Sequence, residues 1–260
     1  MTIHRTASHR LKSTRIRLLA LPIVAGTVAA GLFIAGVGGA SGATSPISAA
    51  TQAGGFTKQQ VYTFPGSTVP SQWSVYSSSG TSTSDSRVPS YVSVSGGYLH
   101  VKASGDQGSG LCLCAGGGLS TPAYGRWDIY ARAPVDAHHN FGILLWPNNG
   151  LPKAGQEIDI AEFPGPDKTV LQNTVHDGPG ENKHSHFTNG NYSTFHKYSV
   201  VWTKSSLSFW VDDKKVWDAD PSYSPVDPMH LVLQGGIYSQ STPTSGTSEM
   251  DVKSVRYFHN

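Results

Sequence analysis

The chain has 260 residues, of which only 14% are charged, and its formal net charge is +2. The first 50 residues contain five Lys/Arg and no acid, so the rest of the chain has 14 basic and 17 acidic residues and a net charge of −3. A nucleic-acid surface needs clustered Lys and Arg, and no such cluster follows residue 50. We therefore exclude a nucleic-acid partner.

The N-terminal segment has the order of an export signal. Its basic residues precede an uncharged apolar run from Leu18 to about Gly39, and small residues follow. A run of about 20 residues is also long enough to span a bilayer. We predict a signal peptide or N-terminal membrane anchor at 1–43, a flexible linker at 44–56 and one domain at 57–260. The protein is then secreted, or else membrane-anchored with its domain outside the cell.

β-forming runs bounded by Gly, Pro, Ser and Asn follow one another after residue 56, and helical periodicity is nearly absent. Many strands without helices between them indicate an all-β sandwich of antiparallel sheets. Asp212-Asp213 is predicted to form the turn of a two-residue hairpin. The predicted strands are Gln60–Phe64, Tyr98–Ala103, Gly125–Ala133, Phe141–Pro147, Gln156–Phe163, Thr169–His176, His196–Thr203, Leu207–Val211, Lys214–Trp217, Met229–Ile237 and Met250–Phe258.

The two cysteines, Cys112 and Cys114, are separated by one residue. Export favours a disulfide, but the Cα atoms of residues i and i+2 in a strand lie near the upper limit of the bridging distance. The sequence is compatible with a disulfide and with two buried thiols. Two cysteines alone are too few for a structural zinc site.

Three carboxylates lie within six residues, in the segment Glu157-Ile158-Asp159-Ile160-Ala161-Glu162. Side chains alternate between the faces of a strand, so Glu157 and Asp159 share one face and the isoleucines share the other. Glu162 would point to the apolar face unless the strand accommodates one extra residue. We therefore predict a β-bulge at Ile160-Ala161 that brings all three acids to one face.

Such a cluster has three obvious uses. Calcium sites are usually built on loops, whereas this segment is typical of a strand. A solvated sheet face would not normally place three acids side by side without Lys or Arg between them. Glycoside cleavage needs two carboxyls, about 5 to 5.5 Å apart in retaining enzymes and farther apart in inverting enzymes. Acid/base chemistry on a glycosidic bond is therefore the favoured interpretation.

The acidic segment resembles the active-site strand of family 16 glycoside hydrolases, which has the pattern E-x-D-x-x-E in the bulged, laminarinase-like branch. Other segments resemble further motifs of that family, in the family's order. These segments are Tyr124–Asp128, Phe195–Trp202, Phe209–Lys214 and Met229–Gln234. Leu144 occupies the place of a cleft tryptophan in many relatives, and Trp146 lies two residues later, on the same strand face.

The resemblance implies a β-jelly roll of two stacked antiparallel sheets with a concave glycan-binding cleft. It implies that Glu157 is the nucleophile, Asp159 its helper and Glu162 the general acid/base. The implied reaction is retaining endo-hydrolysis of a β-linked polysaccharide, commonly a β-1,3- or β-1,3-1,4-glucan. We expect a monomer that needs no cofactor or catalytic metal, and a structural calcium ion is left open.

Four further residues are predicted to contact the substrate. Aromatic side chains stack on the apolar faces of sugars, which suggests Trp146 and Trp127. His176 ends the predicted strand after the acids, and Gln234 could hydrogen-bond a sugar hydroxyl. The pairs His138-His139 and His184/His186 lack acids or cysteines at ligand spacing, so we predict no metal there.

Two other functions fit the same sequence. A cell-surface transglycosylase would use the same two glutamates, with a sugar hydroxyl in place of water. A jelly-roll lectin would bind glycans without cutting them, and it would have no need for Glu157 and Glu162. We therefore place the hydrolase first.

Overall fold

The computed structural model describes residues 55–77, 86–115, 124–136, 138–148, 156–178, 182–237 and 246–260. The predicted signal or anchor, and the linker up to residue 54, lie outside these residues. Within the described part of the chain, no helix is long and apolar enough to cross a membrane.

In the described residues the domain consists of β-strands with two single turns of 3-10 helix, at Pro89–Tyr91 and Pro221–Tyr223. The strands are β1 (Lys58–Thr63), β2 (Ser74–Val75), β3 (Val92–Ser95), β4 (Tyr98–Ser104), β5 (Ser109–Cys112), β6 (Gly125–Arg132), β7 (His139–Pro147), β8 (Gln156–Glu162), β9 (Val170–Gly178), β10 (Asn182–Asn189), β11 (His196–Trp202), β12 (Leu207–Val211), β13 (Lys214–Ala219), β14 (Met229–Ile237) and β15 (Thr247–His259).

The strands form two antiparallel sheets. The eight-stranded sheet has the order β13-β12-β11-β6-β15-β4-β3, and β1 also pairs with β15. The seven-stranded sheet has the order β10-β9-β8-β7-β14-β5-β2. This arrangement confirms the prediction of an all-β antiparallel sandwich.

The alternation of side chains along the strands builds the core between the sheets. On β4, Leu99, Val101 and Ala103 are fully buried, while the residues between them are half-buried. Trp202 is also fully buried, and its Nε1 donates a hydrogen bond to the carbonyl of Pro225. Trp202 is therefore part of the core.

The prediction that Trp127 contacts the substrate is wrong. Trp127 is fully buried, and its ring stacks on Tyr257 with the centroids 4.1 Å apart. The period of two along β6 places it among the inward-facing side chains, with Ile129 and Ala131. A ring without accessible surface cannot contact a glycan.

All the predicted strands are present, with small shifts of their ends. Four strands were not predicted: β2, β3, β5 and β10. The hairpin turn at Asp212-Asp213 is confirmed, because both residues have positive φ values of 48° and 65°, as a type I′ turn requires. Cys112 and Cys114 form a disulfide at the end of β5.

The predicted bulge is visible in the pairing of β8. Asp159 pairs with Thr174 of β9 and Glu162 with Gln172, so three steps along β8 match two steps along β9. The pairing with β7 shifts at the same place. The extra residue lies at Ile160-Ala161, which is buried, and Glu162 returns to the face of the other two acids.

Buried side chains hold the bulge in place. A bulge takes backbone groups out of the regular ladder, and a buried polar group without a partner is costly. Asn173 is 1% exposed, and its Nδ2 donates to the carbonyl of Ile160 at 2.6 Å. Just after the bulge, the N–H of Phe163 donates to Oδ1 of Asn140 at 3.2 Å.

A buried cation ties together the loops at the outer ends of β7 and β8. Lys168 is 1% exposed, and its Nζ donates to the carbonyls of Asp136, His139 and Gly165 at 3.2, 2.8 and 3.0 Å. Three carbonyl oxygens offset the cost of burying the ammonium charge. The same contacts fix the loop that precedes β7 to the loop that follows β8.

Lys168→Met keeps the apolar stem of the side chain and removes the donor. We expect the free energy of unfolding to fall by about 1–3 kcal/mol, because carbonyl groups are left without a hydrogen bond. Chemical denaturation at fixed pH measures the change. Lys215→Met, at an exposed ion pair with Asp218, is the control and should change stability by less than about 1 kcal/mol. Equal losses in the two variants would contradict the role of Lys168.

Candidate active site

The three acids line one cavity of about 330 Å³ on the outer face of the seven-stranded sheet. Strand β8 holds them there because Ile158 and Ile160 point the other way, into the core. Two other predicted site residues, His176 and Gln234, line the same cavity. Further lining residues are Arg87, Asn140, Phe141, Gly142, Leu144, Gln172, Thr174, Lys183, Gly235, Gly236 and Ile237.

Backbone pairing arranges the site in rows that cross the strands. One row runs from β10 to β14 through Phe187, Gln172, Glu162, Gly142 and Gln234. A second row runs from β10 to β8 through Lys183, His176 and Glu157. The two glutamates thus lie in different rows of the same face, with Asp159 between them.

Asp159, the central acid, is held between its neighbours. Asp159 is 5% exposed, and its Oδ2 lies 3.1 Å from Nε2 of His176. The same nitrogen is 4.0 Å from Oε2 of Glu157. A hydrogen bond also joins the carboxyls of Glu157 and Asp159. His176 therefore belongs to the acid cluster itself, which gives the predicted site residue a defined place.

Glu162 is oriented by hydroxyl groups of the neighbouring strands. Oγ1 of Thr174 lies 3.3 Å from Oε2 of Glu162 and donates to it. On its other side, the same hydroxyl is 3.1 Å from Oγ of Ser185 on β10. Glu162 thus differs from the other two acids in having a hydroxyl partner instead of a histidine.

The three carboxyls hold protons more tightly than free carboxyls do. Burial, followed by the charge of Asp159, raises the pKa of Glu157 to about 9. Burial and the charge of Glu162 raise the pKa of Asp159, and burial raises the pKa of Glu162. Because the groups interact, these protons belong to the cluster rather than to single residues. The site therefore keeps at least one proton at neutral pH.

Cationic groups oppose this effect. The charge of His176 lowers the pKa values of Glu157 and Glu162, and the charge of Lys183 lowers those of Asp159 and Glu162. Each cation favours the ionised state of a nearby carboxyl. The arrangement can thus combine an acid with a negatively charged carboxylate in one cavity, as paired acid/base chemistry requires.

Trp146 lies beside the acids in an apolar continuation of the site. A second cavity of about 340 Å³ shares Leu144 and Gln234 with the first and is also lined by Trp146. Its other lining residues are Tyr76, Cys112, His230 and Val232. The hydroxyl of Tyr76 donates to Oε1 of Gln234 at 3.2 Å. The predicted substrate-contacting positions of Trp146 and Gln234 are therefore adjacent to the acids.

Sequence reasoning missed several residues of this site. Thr174 and Lys183 lie on β9 and β10 and reach the acids only through strand pairing. Arg87 precedes β3 and lines the cavity from the far side, next to Gly236. A single Thr, Lys or Arg has no sequence pattern that identifies it as a site residue. Only the order of the strands in the folded sheet brings these residues close to β8.

Three groups of side chains in the described residues bring possible metal-ligand atoms within 4.8 Å of one another. These groups are Glu157, Asp159 and His176; His100, Glu249 and Asp251; and Cys112, Cys114 and His230. The disulfide removes both thiolates from the third group. The first group consists of two predicted catalytic acids and the histidine that contacts them, and the second lies on β4 and β15 of the other sheet. A site without a catalytic metal therefore stays our prediction.

The sequence matches a family model and curated proteins. The model described as "Glycosyl hydrolases family 16" matches residues 115–255. The endo-1,3-1,4-β-glycanase EglC of Rhizobium meliloti is 28% identical over 142 residues, which are 52% of this chain and 30% of that protein. A β-glucanase of Rhodothermus marinus is 27% identical over 144 residues, which are 45% of this chain and 48% of that protein. The chain matches less than half the length of these relatives.

The fold also has solved counterparts. The laminarinase from Flavobacterium sp. UMI-01 superimposes with a TM-score of 0.66 at 15% identity, and the match covers 78% of this chain and 100% of that one. The predicted β-jelly roll is thereby confirmed. The family model spans more than half of the chain and contains the whole of β8 with its three acids, so this chain belongs to glycosyl hydrolase family 16.

Proposed function

We propose that this protein is a secreted, retaining endo-glycosidase that hydrolyses a β-linked polysaccharide, with a β-1,3- or β-1,3-1,4-glucan as its substrate. The main support is the cluster of three proton-sharing carboxyls on one strand face, inside an open cavity. The relatives named as β-glucanases support the choice of glucan. The basic, apolar and small-residue order of residues 1–43 supports export.

In the first step Glu162 donates its proton to the oxygen of the scissile glycosidic bond. Glu157 attacks the anomeric carbon as that carbon–oxygen bond breaks, so the leaving sugar departs with the proton and a glycosyl ester forms on Glu157. Glu157 must be ionised for this attack. In the resting cluster the proton lies on Glu157, because burial and the charge of Asp159 raise the pKa of Glu157 to about 9. The attack therefore requires that this proton passes to Asp159 along the hydrogen bond between the two carboxyls, which leaves the negative charge on Glu157.

In the second step Glu162, now a carboxylate, takes a proton from a water molecule. The water oxygen attacks the anomeric carbon, the ester bond to Glu157 breaks, and the sugar leaves with its original configuration. Thr174 and its hydrogen bond to Glu162 orient the same carboxyl in both steps. His176 and Asp159 keep Glu157 in place throughout.

Glu157→Gln and Glu162→Gln should each reduce hydrolysis of laminarin or lichenan by at least about a thousandfold, because each removes a group that acts on the reacting bond. Reducing-sugar release measures the loss, and NMR of the first product gives its anomeric configuration. Glu249→Gln, on β15 of the eight-stranded sheet, is the control and should keep full activity.

Four outcomes would contradict the proposal. Undiminished cleavage by either active-site variant would remove the assigned roles, and an inverted first product would remove the retaining mechanism. Binding without cleavage across a panel of β-glucans and galactans would indicate a lectin. Transfer to added oligosaccharides in preference to water would indicate a transglycosylase.

The pH dependence of kcat/KM should be bell-shaped, with its alkaline limb above the ordinary range for a carboxyl group. Activity falls at low pH as the pair of Glu157 and Asp159 takes up a second proton and no carboxylate remains for the attack, and falls at high pH as Glu162 loses the proton that it must donate. Burial raises the pKa of Glu162, which moves the alkaline limb upwards. An alkaline limb near pH 4 to 5, the range of an exposed carboxyl, would contradict this prediction.

Lys183→Met tests the electrostatic part of this profile. The ammonium lowers the pKa values of Asp159 and Glu162, so its removal should raise both and shift the alkaline limb to higher pH. The other charged groups at the cavity, Arg87 and His176, are unchanged in the variant. Measurements at low ionic strength give the largest effect, and Lys215→Met should leave the profile unmoved.

A further inference from the structure

An exposed aromatic ring lies at the edge of the acid-bearing sheet. Phe187 on β10 is 59% exposed. The other large exposed hydrophobic residues of the described chain are the valines Val61, Val135 and Val226. Burying a phenylalanine side chain stabilises a fold by about 1.5–3 kcal/mol relative to leaving it exposed. The exposed position of Phe187 therefore needs an explanation.

The direction of Phe187 follows from its neighbours on β10. Residues two apart on a strand share a face. Ser185 is hydrogen-bonded to Thr174, which in turn bonds to Glu162, and Lys183 lines the cavity of the acids. Phe187 continues this series by two residues, so its ring stands on the same face of the sheet as the catalytic cluster.

The distance from the acids follows from the pairing. Phe187 pairs with Gln172, and Gln172 pairs with Glu162. Two strand spacings correspond to about 10 Å. The ring is therefore too far away to touch the reacting carbon, yet it lies in the row of Glu162 and at the end of the cleft.

We propose that Phe187 is a sugar-binding platform that extends the cleft to the edge of β10 and stacks on the apolar face of a sugar residue beyond those at the scissile bond. This inference rests on the proposed function and adds a specificity-determining position to it. The ligand is a more distant part of the same polysaccharide chain, so the enzyme prefers long substrates over short ones.

The surroundings of the ring favour a sugar over an apolar protein partner. Its neighbours on the same face, Ser185 and Gln172, have hydroxyl and amide groups that can hydrogen-bond sugar hydroxyls. Strand β10 ends the sheet order, so outward-facing backbone groups of an edge strand are also free to bond. An isolated aromatic ring among polar groups matches the amphipathic character of a pyranose.

Phe187→Ala tests the proposal against purified oligosaccharides of increasing length, taken from the glucan that the wild type cleaves best. We expect kcat/KM to fall about two- to tenfold on the polymer and the long oligosaccharides, mainly through a higher KM. The shortest cleaved oligosaccharides, which do not reach β10, should be unaffected. Phe187→Trp should retain the preference for length.

Val61→Ala is the matched control, because Val61 is similarly exposed at 52% but lies on β1 of the other sheet. Equal kinetics for Phe187→Ala and Val61→Ala at every length would overturn the inference and leave the hydrolase proposal intact. An equal loss at every length would also overturn it, since a distant platform cannot affect the shortest substrates. A wild-type dimer that becomes monomeric in Phe187→Ala would show that the ring binds a second copy instead.

Affinity electrophoresis in glucan-containing gels separates this inference from the proposed function. If the wild type cleaves nothing, the hydrolase proposal fails, and retardation of the intact protein still reports glycan binding. Weaker retardation of Phe187→Ala than of Val61→Ala would support the platform. Identical retardation of these two variants would overturn it.

Discussion

The structure depends on one electrostatic constraint, which is that three carboxyl groups approach one another on a largely desolvated strand. In water their repulsion would be weak, but here burial raises the pKa values of all three acids, and the charge of a neighbouring acid raises those of Glu157 and Asp159 further. Only a backbone that cannot relax will hold them together. The apolar back of β8 and the hydrogen bond from Asn173 to Ile160 supply that rigidity, and His176 and Lys183 supply compensating charge.

The sequence was sufficient to predict the features that periodicity and local chemistry determine. Alternation along β8 predicted both the shared face of Glu157 and Asp159 and the bulge needed for Glu162. Long alternating or apolar runs identified the central strands of both sheets. These signals are strong because burying one face of a strand imposes a period of two over many residues.

Features that depend on strand order could not be predicted in the same way. Strand β10 has no apolar alternation, because it lies at a sheet edge with mostly polar side chains, and it was therefore not predicted. The position of Trp127 was predicted wrongly because aromatic residues occur both in cores and in glycan clefts. The two cases can be told apart only when it is known which face of the strand packs against the core. The position of Asn173 opposite the bulge likewise follows from tertiary pairing, and no local pattern reveals it.

The bulge also bears on how such a site tolerates insertions and deletions. Loss of one residue at Ile160-Ala161 would restore a regular strand in which the acids alternate as every second residue, so all three would still face outward. The reach between Glu157 and Glu162 would change little, because the three steps from Asp159 to Glu162 already match only two steps along β9. The gene can therefore lose a single codon at this point while both the orientation and the approximate spacing of the two glutamates are kept, whereas a one-residue insertion or deletion elsewhere in a central strand would move the following side chains to the opposite face.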